Sequence, residues 1–170
     1  CGRGEYTIGL AKKFPEKNFI GIDIKGARMW NGAMESFQHN MTNVAFLRTR
    51  IDFINSFFAA DEVDEIWLTF SDPQPRKENK RLTSSLFIDK YKRLLKKNGI
   101  IHLKTDSDLL YNFTLREIDT HKYKLLYTIN DLYRATELEP FMQSILHIRT
   151  FYEQMWLAKG ISIKYIKFGL

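Results

Sequence analysis

Four short apolar runs, at 19–24, 44–47, 65–70 and 99–104, recur along the 170-residue chain. Each is four to six residues long, rich in β-branched or aromatic side chains and largely without alternation. That is the pattern of strands buried on both faces of a parallel sheet. Between the runs, apolar positions fall at helical spacing. Residues 5–13 carry Ile8, Leu10 and Ala11, and Pro15 stops them. Residues 26–40 carry Ala27, Trp30, Ala33, Met34 and Phe37. Residues 83–97 carry Leu86, Phe87, Tyr91, Leu94 and Leu95, start at a Thr/Ser cap candidate and end before Asn98-Gly99. Residues 106–118 predict a further helix, capped by Asp106 or Ser107. Strand and helix thus alternate four times with short connections, which means βαβ units in an open, doubly wound α/β sheet. The tail predicts two more strands, at 123–129 and 161–168. The second of them alternates, as an edge or antiparallel strand with one wet face does. With no internal repeat and no linker, residues 1–170 read as one domain.

Composition narrows the class. Apolar residues make up 44% and aromatics 14%, which excludes a disordered or low-complexity chain. The longest apolar runs are too short to span a bilayer as a helix. A single cysteine excludes a disulfide framework and a cysteine-based zinc site, and a reducing, cytoplasmic setting is expected. His39, His102, His121 and His147 lack metal-ligand spacing, so no metal is expected. The chain begins at Cys1 rather than Met, and Cys1-Gly2-Arg3-Gly4 reads as the interior of a motif. An N-terminal segment is therefore expected to precede it.

The formal charge is +6, and it is unevenly spread. Residues 73–97 hold nine basic and two acidic residues, a net +7, against −1 for the remainder. Lys/Arg clusters neutralise phosphates and release counterions, so a polyanionic partner is implied. A solvated helix face accounts for Lys92, Lys96 and Lys97. It accounts less well for the cations from Arg76 to Arg81, which follow a rigid loop.

Two loops carry candidate chemistry. Gly2 and Gly4 open the first helical stretch, where glycine lets the backbone turn sharply and approach a ligand. Asp23 ends the next strand, 21 residues after Gly2, where an acid can accept both hydroxyls of a ribose. A dinucleotide fingerprint needs a third glycine at position 7, which is Thr7, so a nucleoside fits better than a nicotinamide or flavin dinucleotide. A tight turn and a helix cap would account for the same residues. The second loop, Ser71-Asp72-Pro73-Gln74-Pro75, follows a strand end, where doubly wound sheets bind ligands. Pro73 and Pro75 stiffen it around Asp72, although a surface Asp-Pro turn would look alike.

Taken in order, Cys1-Gly2-Arg3-Gly4-Glu5, Gly21-Ile22-Asp23-Ile24-Lys25, Thr69-Phe70-Ser71-Asp72-Pro73, Lys104-Thr105-Asp106 and Thr150-Phe151-Tyr152-Glu153 resemble the bacterial tRNA (guanine-N7-)-methyltransferase family over essentially the whole chain. The resemblance implies a class I methyltransferase, Rossmann-like sheet of seven strands, the first of them in the segment expected ahead of Cys1. That sheet is mostly parallel with the last strand antiparallel, and carries helices on both faces. It implies S-adenosylmethionine as cofactor, tRNA as partner, no membrane, and methylation of a guanosine N7 in the variable loop. By position, Gly2, Gly4, Asp23 and Ile24 would hold the cofactor's methionine part and ribose. Asp72 matches an acid at the cofactor–substrate boundary and is the catalytic candidate. Arg76 stands where the family has a Lys, and Lys80 and Arg81 lie in its RNA-contacting stretch. Asp106 matches a substrate-side acid, and Thr150, Phe151, Tyr152 and Glu153 match the guanosine-binding segment. Where the family has an acid for the adenine amino group this chain has Arg50, leaving the backbone at Arg50-Ile51 or the side chain of Asp52 for that contact. Gln74 replaces a family Trp. Asp106 as a helix cap and Glu153 as a helix-surface acid stay open. So do another base methyltransferase of this fold, a non-catalytic RNA-binding subunit, and a monomer or a homodimer.

Overall fold

The structure, a computed structural model, describes residues 1–136 and 138–170. They form two compact units, Cys1–Phe53 with Thr136–Met155, and Ile54–Ala135 with Trp156–Leu170.

The first unit contains α1 (Glu5–Lys13), β1 (Phe19–Asp23), α2 (Gly26–Gln38) and β2 (Val44–Arg48). It also contains α5 (Pro140–Leu146) and the start of α6 (Phe151–Ala158). β1 and β2 pair in parallel from Phe19↔Val44 to Asp23↔Arg48, so both strands end on one edge. α1 buries Tyr6, Ile8, Leu10 and Ala11 and packs on β1 and α2. α2 buries Met29 and Gly32, not Trp30 and Phe37, which are 64% and 77% exposed. A Cβ at Gly32 would lie 2.6 Å from the Phe46 ring, so the close approach of strand and glycine sets the inward face.

The second unit holds β3 (Val63–Thr69), α3 (Ser85–Leu94), β4 (Leu95–Thr105), α4 (Asp108–Thr120), β5 (Lys124–Ile129) and β6 (Lys164–Gly169). Its sheet order is β3-β4-β6-β5, with β3 parallel to β4 and β6 antiparallel to both neighbours. Leu68, Ile101, Leu103, Ile166 and Phe168 are almost wholly buried and form its apolar core with Phe87, Ile88 and Leu110 from α3 and α4. In the register of β3 and β4, Thr69 stands opposite Lys104, so these two strands also end on one edge.

Three expectations are corrected. Six strands in two sheets are found among the described residues, not seven in one. Every strand read from the residues is present. The final strand is antiparallel as expected, but it is interior and has no wet face: Lys164 is 2% exposed, held by Asp108 at 3.0 Å and by the carbonyl and hydroxyl of Ser162. Of the two tail strands the edge strand is β5, whose first five residues are exposed. Finally, α3 stops at Leu94, and Lys96 and Lys97 begin β4. Asn98 at φ 68° and a register shift opposite Val63 and Glu65 absorb the change. No helix of the described residues is long and apolar enough to cross a membrane.

Candidate functional site

In the first unit the turn at residues 1–4 takes the left-handed backbone that glycine tolerates, with φ 59° at Gly2 and 84° at Gly4. At Gly4 the reason lies within the protein. It is the N-cap of α1, and a Cβ there would come 2.8 Å from the Phe46 ring. At Gly2 a Cβ would meet only Tyr152, at 4.0 Å, so the backbone is open on that side. Asp23 closes the turn. Its Oδ2 accepts from the Cys1 amino nitrogen at 3.0 Å and the Gly2 N–H at 2.8 Å, and its Oδ1 accepts the Lys25 N–H at 3.0 Å. Burial pushes its pKa up, against the N–H groups of Lys25 and Gly2, which favour the charged form. A carboxylate offers about four acceptor positions. Three are used, so one stays open.

Ile24, 55% exposed, follows on the same edge. Arg50 and Ile51 stand just past β2, at the start of a 3-10 turn, Ile51–Ser56. Arg50 donates Nε and Nη2 to Asp52 Oδ2 at 3.2 and 3.1 Å, so the alternative adenine reader is already engaged with the arginine.

The segment at 150–153 joins this unit from the far end of the chain. Thr150 and Glu153 cap α6 reciprocally: the Glu153 N–H donates to Thr150 Oγ1 at 3.1 Å, and the Thr150 N–H donates to Glu153 Oε2 at 3.3 Å. Glu153 is wholly buried, not a surface acid. Thr150→Ala is expected to cost about 1 kcal/mol and Thr150→Ser almost nothing, read from urea-denaturation midpoints. Phe151 donates its N–H to Glu5 at 3.1 Å and lies under the Arg3 guanidinium, with the guanidinium carbon 3.9 Å from the ring centre. Tyr152 stands edge-on to Phe151 and lies 5.2 Å below the guanidinium carbon of Arg28. Residues 1–5 and 150–153, distant in sequence, thus meet around the glycine turn.

In the second unit the loop after β3 is strained. Phe70 and Gln74 have φ of 52° and 45°, conformations rare for residues with a Cβ, and such outliers concentrate at functional sites. Between them Asp72 is exposed, with Oδ1 accepting the Gln74 N–H at 2.9 Å. Oδ2 has no partner among the described residues. Arg81, only 2% exposed, holds the loop: Nε donates to the Pro73 carbonyl at 2.9 Å and Nη1 to Glu78 Oε1 at 2.9 Å. A longer contact of 3.4 Å runs from Nη2 to the Gln74 carbonyl. Its guanidinium lies 4.5 Å over the Phe113 ring. Of the three predicted RNA-contacting cations, Arg76 and Lys80 are exposed and Arg81 is internal. Asp106 is not the helix cap. Ser107 is, through its Oγ accepting the Leu110 N–H at 3.2 Å, and the Asp106 carboxylate has no partner among the described residues. Asp72 and Asp106 stand three and two residues beyond the opposed pair Thr69 and Lys104, so both leave the carboxyl edge of adjacent parallel strands.

The burial of Arg81 and the cap at Thr150 were both missed in the sequence reading. The capping-box spacing of Thr150 and Glu153 could have shown the second; one arginine among nine cations gives no such signal.

Comparisons place the chain among known proteins. The family described as "Putative methyltransferase" matches residues 1–166. A curated tRNA (guanine-N(7)-)-methyltransferase of Bacteroides thetaiotaomicron is 55% identical over 170 residues, covering all of this chain and 66% of its own length. One of the same name from Porphyromonas gingivalis is 56% identical, with 68% of its length covered. The chain therefore spans about two thirds of these relatives. Among solved structures, the 16S rRNA methyltransferase KamB superposes with a TM-score of 0.69 at 11% identity, over 99% of this chain and 84% of that one. At that identity the likeness shows a shared α/β methyltransferase fold.

Proposed function

This chain belongs to that methyltransferase family, and from that premise we propose that it transfers a methyl group from S-adenosylmethionine to N7 of a guanosine in the variable loop of tRNA. The observation that carries the reading is the pair of acids on one strand edge, Asp72 and Asp106, each with acceptor capacity that nothing among the described residues uses. The names of the relatives support the reaction class and the substrate.

When bound, the cofactor supplies an electrophilic methyl on a sulfonium. The residues around the glycine turn fit such a group. Gly2 leaves open backbone on one side, and Asp23 keeps one acceptor position for a ribose hydroxyl. Gly4, Ile24 and the Arg50-Ile51 backbone complete the proposed cofactor set.

Guanine N7 has an exposed lone pair and no proton to lose, so no strong general base is needed. Positive charge grows on the purine as the bond forms. Protein catalysis of such a step is positioning and electrostatics. Asp72 is assigned to stabilise that charge from a loop held rigid by its neighbours. Asp106 is assigned to accept hydrogen bonds from the guanine N1–H and exocyclic amine, which selects guanine over adenine. Thr150, Phe151, Tyr152 and Glu153 are assigned to the guanosine, with Glu153 acting through the fold of the α6 start. Arg76 and Lys80 are assigned to RNA phosphates, and Arg81 to the Asp72 loop. The whole of 1–170 then works as one methyltransferase domain, in the cytoplasm, without a membrane.

Incubation of bulk tRNA with labelled cofactor, followed by nucleoside analysis, is expected to yield 7-methylguanosine as the labelled product. Label in any other nucleoside would overturn the assignment of N7. Cofactor binding without methylation of RNA would favour a binding subunit.

A further inference from the structure

The cationic stretch at 73–97 is partly neutralised by its own fold. Lys92 pairs with Asp89, Lys96 with Asp64, and Arg81 with Glu78. The first unit, with nine basic and eight acidic residues, behaves differently at one place. A cavity of about 610 Å³ opens at the end of β1 and β2, lined by Ile24, Lys25, Gly26, Ala27, Arg28 and Arg48. Three of the six lining residues are cations and none is an acid. Among the described residues no carboxylate pairs with the Lys25 ammonium or with the Arg28 or Arg48 guanidinium. The adjacent acid, Asp23, is turned to the Cys1, Gly2 and Lys25 nitrogens.

All three cations are exposed, and two of them rest against neighbouring groups without a counter-charge. The Arg28 guanidinium sits over the Tyr152 ring and makes no hydrogen bond among the described residues. The Arg48 stem crosses Gly26, where a Cβ would come within 3.0 Å of Arg48 Cδ. Its Nε makes one long contact, 3.4 Å, to the Ile24 carbonyl, and both Nη atoms are unengaged among the described residues. Guanidinium forks left with spare donors match phosphate oxygens in number and geometry. The cavity is within the size range of sites that take nucleotide-sized groups. Three like charges on one concavity repel one another, and a polyanion relieves that repulsion while releasing counterions.

We propose that Lys25, Arg28 and Arg48 form a second RNA-contacting surface, one that takes phosphates of the substrate's sugar–phosphate backbone. This rests on the reading that the chain acts on RNA. The surface carries affinity and register and no base identity.

The test is tRNA binding by the full chain as a function of salt, for the unaltered protein, for Lys25→Gln/Arg28→Gln, and for the triple variant with Arg48→Gln. The double variant is expected to bind roughly tenfold more weakly near physiological salt. Its slope of log K against log salt is expected to fall by about 1.5, from about 0.7 to 0.9 per phosphate contact. Thermal stabilisation by S-adenosylmethionine is expected to stay unchanged. The double variant spares Arg48 and so keeps the packing over Gly26. Unchanged affinity and slope in both variants would overturn the surface while leaving the RNA reading standing. Loss of cofactor stabilisation with unchanged tRNA binding would assign the cavity to the cofactor instead. Stabilisation by inorganic phosphate with an unchanged tRNA slope would make it a small-anion site. Absence of tRNA binding by the unaltered protein would overturn the RNA reading and this surface with it.

Discussion

Arg81→Met is expected to lower stability by about 2–4 kcal/mol and to reduce turnover by at least about a hundredfold, with tRNA affinity little changed. The stability figure follows from what the guanidinium holds. With Arg81 gone, the Pro73 carbonyl loses a 2.9 Å partner and the Gln74 carbonyl loses a longer one. An acceptor left without its partner in a poorly solvated place costs about 1–3 kcal/mol, and bonds from a charged donor lie at the upper end. The Glu78 contact adds little, because Glu78 is largely exposed and also meets Arg116. The turnover figure follows from strain. Phe70 and Gln74 are kept in left-handed conformations, each costing on the order of 1–3 kcal/mol. Without the arginine the loop can relax, and Asp72 moves with it; displacements of about 1 Å can cost a hundredfold in rate. Arg81→Lys restores a charge but not the fork that reaches three acceptors, so it should recover only part of both losses. Urea denaturation checks the first number and single-turnover methylation the second. A salt slope for tRNA binding that falls by about one would instead put the Arg81 side chain on the RNA, as its place in the sequence suggests.

That contrast shows where reading the chain alone runs out. The strands were legible because unbroken apolar runs such as 99–104 have few other uses in a domain of this size. All six strands stand where the pattern put them, within a few residues. Lysine-rich stretches were not legible. Lys96 and Lys97 continue a helical pattern in sequence, but they begin β4, because pairing with β3 outweighs a weak local preference. Lys164 looked like a solvent-facing position of an alternating strand. Its partner Asp108 is 56 residues away, so its burial follows only from the tertiary fold. Arg81 is the same problem at the candidate site: composition counts it as one of nine cations, whereas its role depends on the Phe113 ring and two loop carbonyls. Thr150 and Glu153 are the opposite case. Their capping box is a local signal, and it accounts for the segment's geometry before any ligand is invoked. The acids fared better, since Asp23, Asp72 and Asp106 all lie at strand ends, as the doubly wound pattern requires.

Asp72→Asn is expected to reduce kcat by about a hundred- to a thousandfold at saturating tRNA and cofactor, with the fold intact. The substitution isolates charge from shape. Asparagine keeps an oxygen for the Gln74 N–H, so the turn that Asp72 makes at 2.9 Å survives, and the Pro73 and Arg81 contacts are backbone on the loop side. On the proposed reading, what is lost is the negative charge beside a purine that becomes cationic as its N7 takes the methyl. Groups aimed at developing charge are typically worth that factor, because they are in place before the reaction and need no reorganisation. The effect should fall on kcat rather than KM, since the neutral guanine of the bound substrate gains little from a nearby carboxylate and the transition state gains much. Asp72→Ala should lose more, because it removes the Gln74 contact as well and frees a loop that holds two left-handed residues. A double variant with Arg81→Met should lose scarcely more turnover than either single change, since the arginine acts through the position of this carboxylate. Full additivity would separate the two residues. A kcat unchanged in Asp72→Asn would leave Asp106 as the acid that faces the base.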